Sequence, residues 1–314
     1  MVDMSVRIGG LVLKNPIMPA SGTWGYGAED PGLFDMQVLG AVLTKSVMLH
    51  PQKGNKPQRL AETSAGMLNS IGIPSDGLER WLDEYWPSVR ACQTVRIVSL
   101  GGTEVGEFIE ATSRLIQVPG VDAIELNMSC PNLNEPRMIA EDERLLTAVV
   151  EGTTRLAKTK GIPVIAKLSP NVGDIVEMAK AAERAGADAV TVANALTGMS
   201  IQLDPIRPVL GHYTGGLTGP AVKPVILRMV WQVSRAVKIP VVASGGVSNA
   251  RDALEYVAAG ATAVQVGTAN FYRPDIMPII IRDMETFLKE RGMERIGQLF
   301  GRAWPEEGRK PQGG

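Results

Sequence analysis

The stretch Ala123-Ile-Glu-Leu-Asn-Met-Ser-Cys-Pro-Asn132 decides the fold. Its first half is a short apolar run of the kind that forms a buried parallel strand, and its second half turns polar. Pro131 biases Cys130 away from helical conformation, so we expect the thiol in a loop that begins where the strand ends. By itself the segment fits a half-buried structural cysteine in a turn equally well, because free cysteine behaves mostly as a small apolar side chain. The rest of the chain favours a functional loop.

Seven further runs of this kind recur along the chain, and segments with helical periodicity separate them. Two of these segments, Asp174–Gly186 and Ala250–Gly260, end at glycine, as helices often do. Eight strands in alternation with helices predict the α/β class and a closed (β/α)8 TIM barrel rather than an open sheet. The predicted strands are Ile17–Ala20, Ala41–Ser46, Ile97–Gly101, Ala123–Asn127, Pro163–Ser169, Ala189–Asn194, Pro240–Ser244 and Ala263–Gly267.

Other segments surround the predicted barrel. The Gly-Gly pair within Val6–Leu13 predicts a small N-terminal β-hairpin that caps the barrel floor. Two connections, Val47–Gly72 and Leu196–Pro220, are long, and we expect them as loops over the C-terminal rim because such loops usually cover a site. We expect a single domain over residues 1–300 and a disordered tail over residues 301–314, which are polar and rich in glycine and proline.

Composition argues against several classes of function. The chain has 314 residues, a formal net charge of -1 and a pI near 6.2, so nothing predicts binding to nucleic acid or to an anionic membrane. Two cysteines and two histidines are too few for an iron–sulfur cluster or a histidine-based metal centre. The chain shows neither a signal-peptide pattern nor an apolar run near the roughly 18 residues of a membrane span. We therefore expect a cytoplasmic protein without a catalytic metal.

Nearly every predicted strand ends in a functional group, and in a TIM barrel these ends form the active-site face. Lys45 and Lys167 stand inside apolar strands, where a buried lysine needs an anion or an electron-rich partner; the alternative is a surface lysine with a buried stem. Gly245-Gly246 and Gly267-Thr268 form two glycine turns after the last two strands, where barrels often hold a phosphate; the alternative is two tight turns. The remaining polar strand ends are Ser21, Ser46, Asn127, Cys130 and Asn194.

These groups outline a phosphorylated cofactor along the barrel axis. Its phosphate would lie at the glycine turns, the two lysines would meet an electron-rich ring, and Cys130 would face that ring across a substrate pocket. Flavin mononucleotide (FMN) fits this outline, because its reduced ring carries developing negative charge that a nearby lysine stabilises.

Assembled in this way, the chain resembles the class 1 dihydroorotate dehydrogenases, and within them the 1B catalytic subunits, over nearly all of residues 4–295. The cysteine motif is shared across class 1, whereas the Ser-Gly-Thr and Gly-Pro-Ala-Val-Lys-Pro phrases are typical of the 1B branch. The motifs that carry the resemblance are Pro19-Ala-Ser-Gly-Thr-Trp-Gly-Tyr-Gly27, Leu43-Thr-Lys-Ser46, Met67-Leu-Asn-Ser-Ile-Gly-Ile73, Asn127-Met-Ser-Cys-Pro-Asn132, Lys167-Leu-Ser-Pro-Asn171, Gly215-Gly-Leu-Thr-Gly-Pro-Ala-Val-Lys-Pro224 and Val264-Gln-Val-Gly-Thr-Ala-Asn-Phe271.

The resemblance implies that the chain oxidises (S)-dihydroorotate to orotate in pyrimidine (UMP) biosynthesis. It implies that Cys130 is the base that removes the C5 proton while FMN accepts hydride from C6. The substrate-binding residues it implies are Lys45, Asn69, Asn127, Asn132, Asn194 and Ala195. The cofactor-binding residues it implies are Ser21, Lys45, Ser46, Ser99, Asn127, Lys167, Ala193, Gly219, Gly245, Gly246, Gly267 and Thr268.

The resemblance also implies partners. Electrons would pass to NAD through a separate subunit that carries FAD and an iron–sulfur cluster of the 2Fe–2S type, because this chain has neither the cysteines nor a further domain for that task. The chain would then form the homodimeric core of a heterotetramer.

Two departures from the family pattern keep alternatives open. Ala195 stands where the family generally has threonine, and Ser99 stands where an asparagine usually approaches the flavin. An FMN-dependent dehydrogenase of another cyclic amide, such as a dihydropyrimidine, therefore stays an alternative. A flavin-free lyase with Lys167 as a Schiff base is a third possibility. A non-catalytic scaffold is the fourth, although a scaffold gains nothing from burying polar groups on one rim.

Overall fold

The computed structural model describes residues 2–26, 32–128 and 138–306, and within these ranges the chain forms seventeen β-strands and nine α-helices. The strands are β1 (Val6–Ile8), β2 (Leu11–Leu13), β3 (Ile17–Pro19), β4 (Ala41–Leu43), β5 (Val47–Met48), β6 (Leu60–Thr63), β7 (Gly66–Asn69), β8 (Val95–Gly101), β9 (Ala123–Asn127), β10 (Val164–Lys167), β11 (Ala189–Val192), β12 (Leu196–Met199), β13 (Ile201–Leu203), β14 (Ile206–Pro208), β15 (Thr214–Thr218), β16 (Val241–Ser244) and β17 (Ala263–Val266). The helices are α1 (Leu78–Glu84), α2 (Trp86–Ala91), α3 (Val105–Leu115), α4 (Glu143–Lys158), α5 (Ile175–Arg184), α6 (Lys223–Ala236), α7 (Ala250–Ala259), α8 (Ala269–Tyr272) and α9 (Ile276–Glu290). None of these helices combines the length and the apolar character that crossing a bilayer requires.

Eight parallel strands form a barrel. Their order around the sheet is β3-β17-β16-β11-β10-β9-β8-β4, so each strand lies beside its neighbours in the series. The first and last strands meet where the Gly40 N–H donates a hydrogen bond of 2.9 Å to the Ile17 carbonyl. Each of the eight predicted strands overlaps one of these, and the predicted (β/α)8 TIM barrel is confirmed.

Two helices show why the glycine signals were informative. Asp174 accepts hydrogen bonds from the first backbone N–H groups of α5, which fixes the start of that helix. Gly260 follows α7 with a φ of 111°, a left-handed conformation that other residues rarely adopt. The predicted helices over Asp174–Gly186 and Ala250–Gly260 are therefore confirmed, each with its last turn closed before a new barrel strand.

The lower half of the barrel interior is apolar. Alternate residues of a strand face the same side, so one set of side chains from every barrel strand points inward. The hairpin of β1 and β2 closes the floor, where Ile8 and Leu13 join the buried cluster, and this confirms the predicted N-terminal hairpin. The barrel residues of that cluster are Met18, Ala41, Leu43, Ile97, Ala123, Ile165, Ala189, Val242 and Ala263.

The two long connections cover the upper end of the barrel, and each contains short strands. β7 from the first connection pairs with β15 from the second, with Asn69 opposite Gly216. Together with β6 and β12 they form a four-stranded antiparallel sheet, which we call the lid sheet. Between β12 and β15 in the chain, β13 and β14 form a separate hairpin. The predicted position of the two connections over the C-terminal rim is confirmed. The short strands within them were not predicted, because their partners lie far away along the chain and no local pattern indicates the pairing.

The C-terminal segment differs from the expected tail at its start. The backbone N–H groups of Gly301 and Ala303 donate to the carbonyls of Val257 and Ala258, and the buried Trp304 indole donates to Ala259 at 2.8 Å. A buried indole with a hydrogen-bond partner fixes these residues against α7. Residues 307–314 of the expected tail lie outside the described part of the chain.

Replacing Gly40 tests how tightly the barrel closes. An added Cβ at Gly40 would overlap the Asn15 carbonyl oxygen and lie 3.2 Å from the Ile17 carbonyl oxygen. We expect Gly40→Ala to lower the free energy of unfolding by about 1–3 kcal/mol, measured by urea denaturation. Gly173→Ala is the control, because a Cβ there meets nothing within 4 Å and should change stability by less than about 0.5 kcal/mol. Equal stability of the two variants would contradict this account of closure.

Candidate active site

A cavity of about 410 Å³ opens at the C-terminal ends of the barrel strands, beneath the lid sheet. Its size lies in the range of small-molecule sites, and apolar walls with a few polar groups are typical of them. Leu60, Met67 and Leu217 of the lid sheet contribute apolar walls. The predicted site residues that line it are Ser21, Lys45, Ser46, Asn69, Asn127, Lys167, Ala193, Asn194, Ala195, Gly245, Gly246, Gly267 and Thr268.

Four predicted residues lie elsewhere or cannot be placed. Ser99 is fully buried, and its hydroxyl lies 2.9 Å from that of Ser46, which lines the cavity. Gly219 does not line the cavity, although Thr218 before it does. Cys130 and Asn132 lie outside the described residues. The roles of all four stay predictions.

Two asparagines and a serine connect the ends of three strands. The Asn194 amide donates to Asn127 Oδ1 at 3.1 Å, and the Asn127 amide donates to Ser46 Oγ at 2.8 Å. The Asn127 amide accepts through its oxygen and donates through its nitrogen, so these two hydrogen bonds fix the orientation of the Asn127 side chain. Asn69 approaches from the lid sheet, where its amide donates to the Gly216 carbonyl at 3.1 Å. The cavity therefore presents oriented amides from both the barrel and the lid.

Lys45 is held at the cavity wall by partners that sequence reasoning did not identify. Its ammonium donates to the Pro74 carbonyl and, at 3.4 Å, to the Tyr26 hydroxyl, and it lies 4.8 Å from the centre of the Tyr26 ring. Burial, with a further contribution from the charge of Asp76, raises the pKa of Tyr26 above its ordinary value of 10.0. The phenol therefore stays neutral near pH 7, which suits an acceptor for an ammonium group.

Lys167 has the anionic partner that its burial requires. The residue is 5% exposed, and its Nζ lies 3.3 Å from Gln265 Oε1 and 3.6 Å from Glu125 Oε1. Sequence reasoning missed Glu125 and Gln265, both of which stand in the middle of apolar strands. A polar residue two positions before a strand-end group faces the same interior, and this periodicity was the signal that could have found Glu125 two positions before Asn127.

The turn at Gly245 and Gly246 has a shape that only glycine permits. Gly246 has a φ of 69°, and a Cβ there would lie 2.8 Å from the Gly219 carbonyl oxygen and 2.9 Å from the Lys223 backbone nitrogen. Tyr256 supports the turn from below, where its hydroxyl donates to the Gly245 carbonyl at 2.6 Å. Glycine at this position therefore lets the turn pack against the Gly219 and Lys223 backbone, while Gly245 and Gly246 both line the cavity.

An ion pair lies beside this turn. Lys223 contacts both Asp252 and Glu255, and Asp252 also accepts from the Ser248 hydroxyl and backbone N–H. Burial opposes the charge of Asp252, but the hydrogen bonds from Lys223 and Ser248 outweigh it and hold the pKa of Asp252 below 3.8. Burial likewise opposes the charge of Lys223, but bonds to Asp252 and Glu255 raise its pKa above 10.5.

The Asp252 carboxylate should stabilise the fold in a pH-dependent way. A lowered pKa in the folded state means that the stabilisation is complete above the ordinary value of 3.8 and is lost as pH falls through the folded-state pKa. We expect Asp252→Asn to lower the free energy of unfolding by about 1–3 kcal/mol at pH 7, measured in urea, and the difference to shrink as the pH falls below 3.8.

The control for Asp252 is Glu177→Gln, which removes an exposed pair with Lys180 and should cost less than about 1 kcal/mol. A loss in Asp252→Asn that is the same at pH 7 and in acid would contradict the ionic explanation.

Known proteins resemble this chain over nearly its whole length. A family model described as dihydroorotate dehydrogenase matches residues 3–288. A protein of Trichlorobacter lovleyi is 49% identical over 298 residues, which cover 95% of this chain and 97% of the relative. Relatives from Geotalea uraniireducens, 46% identical over 299 residues, and Geobacter sulfurreducens, 47% identical over 300, have the same coverage of 95% and 97%.

All three relatives are named dihydroorotate dehydrogenase B (NAD(+)), catalytic subunit. Identity of this level over nearly the whole chain confirms the resemblance to the 1B catalytic subunits and the expectation of an oxidoreductase. The chain belongs to the dihydroorotate dehydrogenase family.

Proposed function

We propose that this chain oxidises dihydroorotate to orotate with FMN as the electron acceptor, as a step of pyrimidine biosynthesis. The observation that carries the proposal is the cavity at the barrel mouth, which brings oriented amides, two lysines and two glycine turns together in a member of this family. The names of the relatives state the same substrate for those proteins.

The residues present fit FMN. Gly245 and Gly246 line the cavity after one barrel strand, and Gly267 and Thr268 line it after the next, so backbone N–H groups of these two turns would hold the phosphate. Lys167 lines the cavity floor below the barrel mouth, where an electron-rich ring would lie. When bound, FMN supplies an acceptor for two electrons and one proton in the form of hydride.

The chain's own side chains would bind and orient the substrate. A cyclic amide displays donors and acceptors along its ring edge, and Asn69, Asn127, Asn132 and Asn194 offer both types. The ammonium of Lys45 would face the substrate carboxylate. Ser21, Ser46, Ser99, Ala193 and Gly219 complete the proposed flavin contacts, with Ser99 acting through Ser46.

Cys130 is the proposed base. Its thiolate would take the C5 proton of dihydroorotate, the C6–H bond would break with its electron pair leaving as hydride to the flavin, and a C5–C6 double bond would form. The substrate would lose two electrons in this step, and bound FMN would supply the acceptor for them. A thiol suits this role because its ordinary pKa of about 8.5 is nearer neutrality than that of a hydroxyl.

The electrons then need an acceptor. The relatives are named as catalytic subunits with NAD(+), and this supports a second subunit that carries electrons from the reduced flavin to NAD. We propose that this partner holds FAD and a 2Fe–2S cluster and that a homodimer of this chain forms the core of the heterotetramer. A cytoplasmic location completes the proposal.

Ala195 supports an alternative substrate to dihydroorotate. Its methyl group lines the cavity where the family generally has a hydroxyl, and a Cβ on Gly216 of the lid sheet would lie 2.6 Å from it. One hydroxyl contact to orotate is therefore absent from this position. Another cyclic amide, such as a dihydropyrimidine, is the alternative substrate.

Anaerobic mixing with dihydroorotate tests the proposal. The purified chain should be yellow, and dihydroorotate should bleach its flavin absorbance in stopped-flow measurements. We expect Cys130→Ser to slow bleaching by about 10²- to 10⁴-fold, the typical contribution of a positioned base, while orotate binding persists. Cys92→Ser is the matched control, because Cys92 ends α2 and does not line the cavity.

The other outcomes are equally informative. Faster bleaching by dihydrouracil than by dihydroorotate would favour the alternative substrate. A colourless chain that does not bind added FMN would refute the flavin, and equal rates for Cys130→Ser and Cys92→Ser would remove Cys130 from the mechanism.

A further inference from the structure

Glu125 is a fully buried carboxylate that the proposed function does not use. It lies in the middle of β9, below the cavity, with an exposed fraction of 0%. Its Oε2 accepts hydrogen bonds from Thr191 Oγ1 at 2.8 Å and from Gln265 Nε2 at 2.5 Å. Its Oε1 accepts no hydrogen bond from the described residues and lies 3.6 Å from Lys167 Nζ. One carboxylate oxygen is therefore held by neutral donors, and the other faces the lysine.

Gln265 forms a second connection between Glu125 and Lys167. Its Nε2 donates to Glu125 and its Oε1 accepts from Lys167 at 3.3 Å, so both ends of the amide are used. The three residues come from β9, β10 and β17, and Thr191 comes from β11. Because four strands of a closed barrel carry the cluster, the position of the Lys167 ammonium is fixed by the scaffold and not by the lysine side chain alone.

The charges around the cavity make Glu125 distinctive. Among the described residues that line the cavity, Lys45 and Lys167 are the charged ones. Lys167 has a carboxylate directly beneath it. A bound ring above Lys167 would therefore meet an ammonium whose field is partly cancelled from below.

We propose that Glu125 is a positioning residue for the flavin, which holds the Lys167 ammonium at the cavity floor and sets the positive charge that the ring meets. The inference rests on the proposed function, since it requires that a flavin binds in this cavity. Two-electron reduction adds negative charge to the ring, and a positive neighbour stabilises that charge. Lys167 therefore favours the reduced flavin, and Glu125 offsets part of this effect. Without Glu125 the flavin should be easier to reduce.

The experiment measures the reduction potential of FMN bound to the full chain, by equilibration with a reference dye. Glu125→Gln keeps the shape and removes the charge, so the potential should rise. Lys167→Met should lower it, and the double variant should return toward the wild-type potential. A buried unit charge acts over several ångströms at an effective dielectric constant of about 20, so we expect the ratio of reduced to oxidised flavin at a fixed dye ratio to change by about tenfold or more.

Thr191→Val is the matched control, since it removes the Thr191 hydroxyl that donates to Glu125 Oε2 without changing a charge. Its flavin ratio should stay within about twofold of the wild type because the Coulomb interaction is unchanged. If Glu125→Gln does not fold, because a buried ammonium then lacks its counter-charge, the comparison of Lys167→Met with the double variant measures the same carboxylate. Removing Glu125 in the absence of the lysine should again raise the potential.

The outcomes separate this inference from the proposed function. Equal potentials for wild type and Glu125→Gln, with both chains folded and yellow, would overturn the role of Glu125 and leave the proposed function intact. A failure of the wild-type chain to bind FMN would overturn both. Unfolding of Glu125→Gln and of the double variant alike would assign Glu125 to stability alone and overturn the inference.

Discussion

All eight barrel strands run in the same direction, so the last inward-facing side chain of every strand reaches the same mouth. The closed order of the strands makes this unavoidable, because a residue cannot turn outward without shifting the register of its neighbours. The polarity of the barrel interior therefore differs between its lower and upper halves. Its floor is apolar and is closed by the hairpin through Ile8 and Leu13, and its upper half collects the polar residues. Burial at the floor stabilises the fold, while the mouth is free to hold groups that a core would not tolerate.

Those polar groups can be buried only because they find partners across strands. Glu125, Thr191 and Gln265 are each at most 1% exposed, and every one of them hydrogen-bonds within the cluster below Lys167. An isolated ion at this depth would be strongly destabilising, whereas a paired and hydrogen-bonded one is tolerated. Beside the turn at Gly245 and Gly246, the largely buried charges of Lys223 and Asp252 are likewise paired with each other. The cavity walls are thus set by charge pairs in the barrel wall as much as by the residues that face the cavity.

The sequence predicted the parts of this architecture that repeat locally. Each barrel strand is an apolar run followed by a polar end, so the eight strands and most of the cavity residues could be found without coordinates. Partners that are distant along the chain could not. Nothing near Lys45 in sequence indicates Pro74, and nothing near Asn69 indicates Gly216, 147 residues away. Trp304 was taken for part of a tail because its polar, breaker-rich neighbours hide a side chain that is buried against α7.

The lid sheet shows how such distant pairing shapes the site. β7 and β15 belong to connections that leave the barrel after different strands, yet their pairing places Asn69 opposite Gly216. The Gly216 backbone also leaves room for Ala195, which follows Asn194 at the end of β11. Asn69 and Ala195 therefore meet at this strand pair, because Gly216 lies beside both. A change in either connection moves both walls of the cavity together, because the hydrogen bonds of an antiparallel pair fix the two strands in register. The lid sheet is thus part of the site's framework, and the barrel alone does not define the cavity.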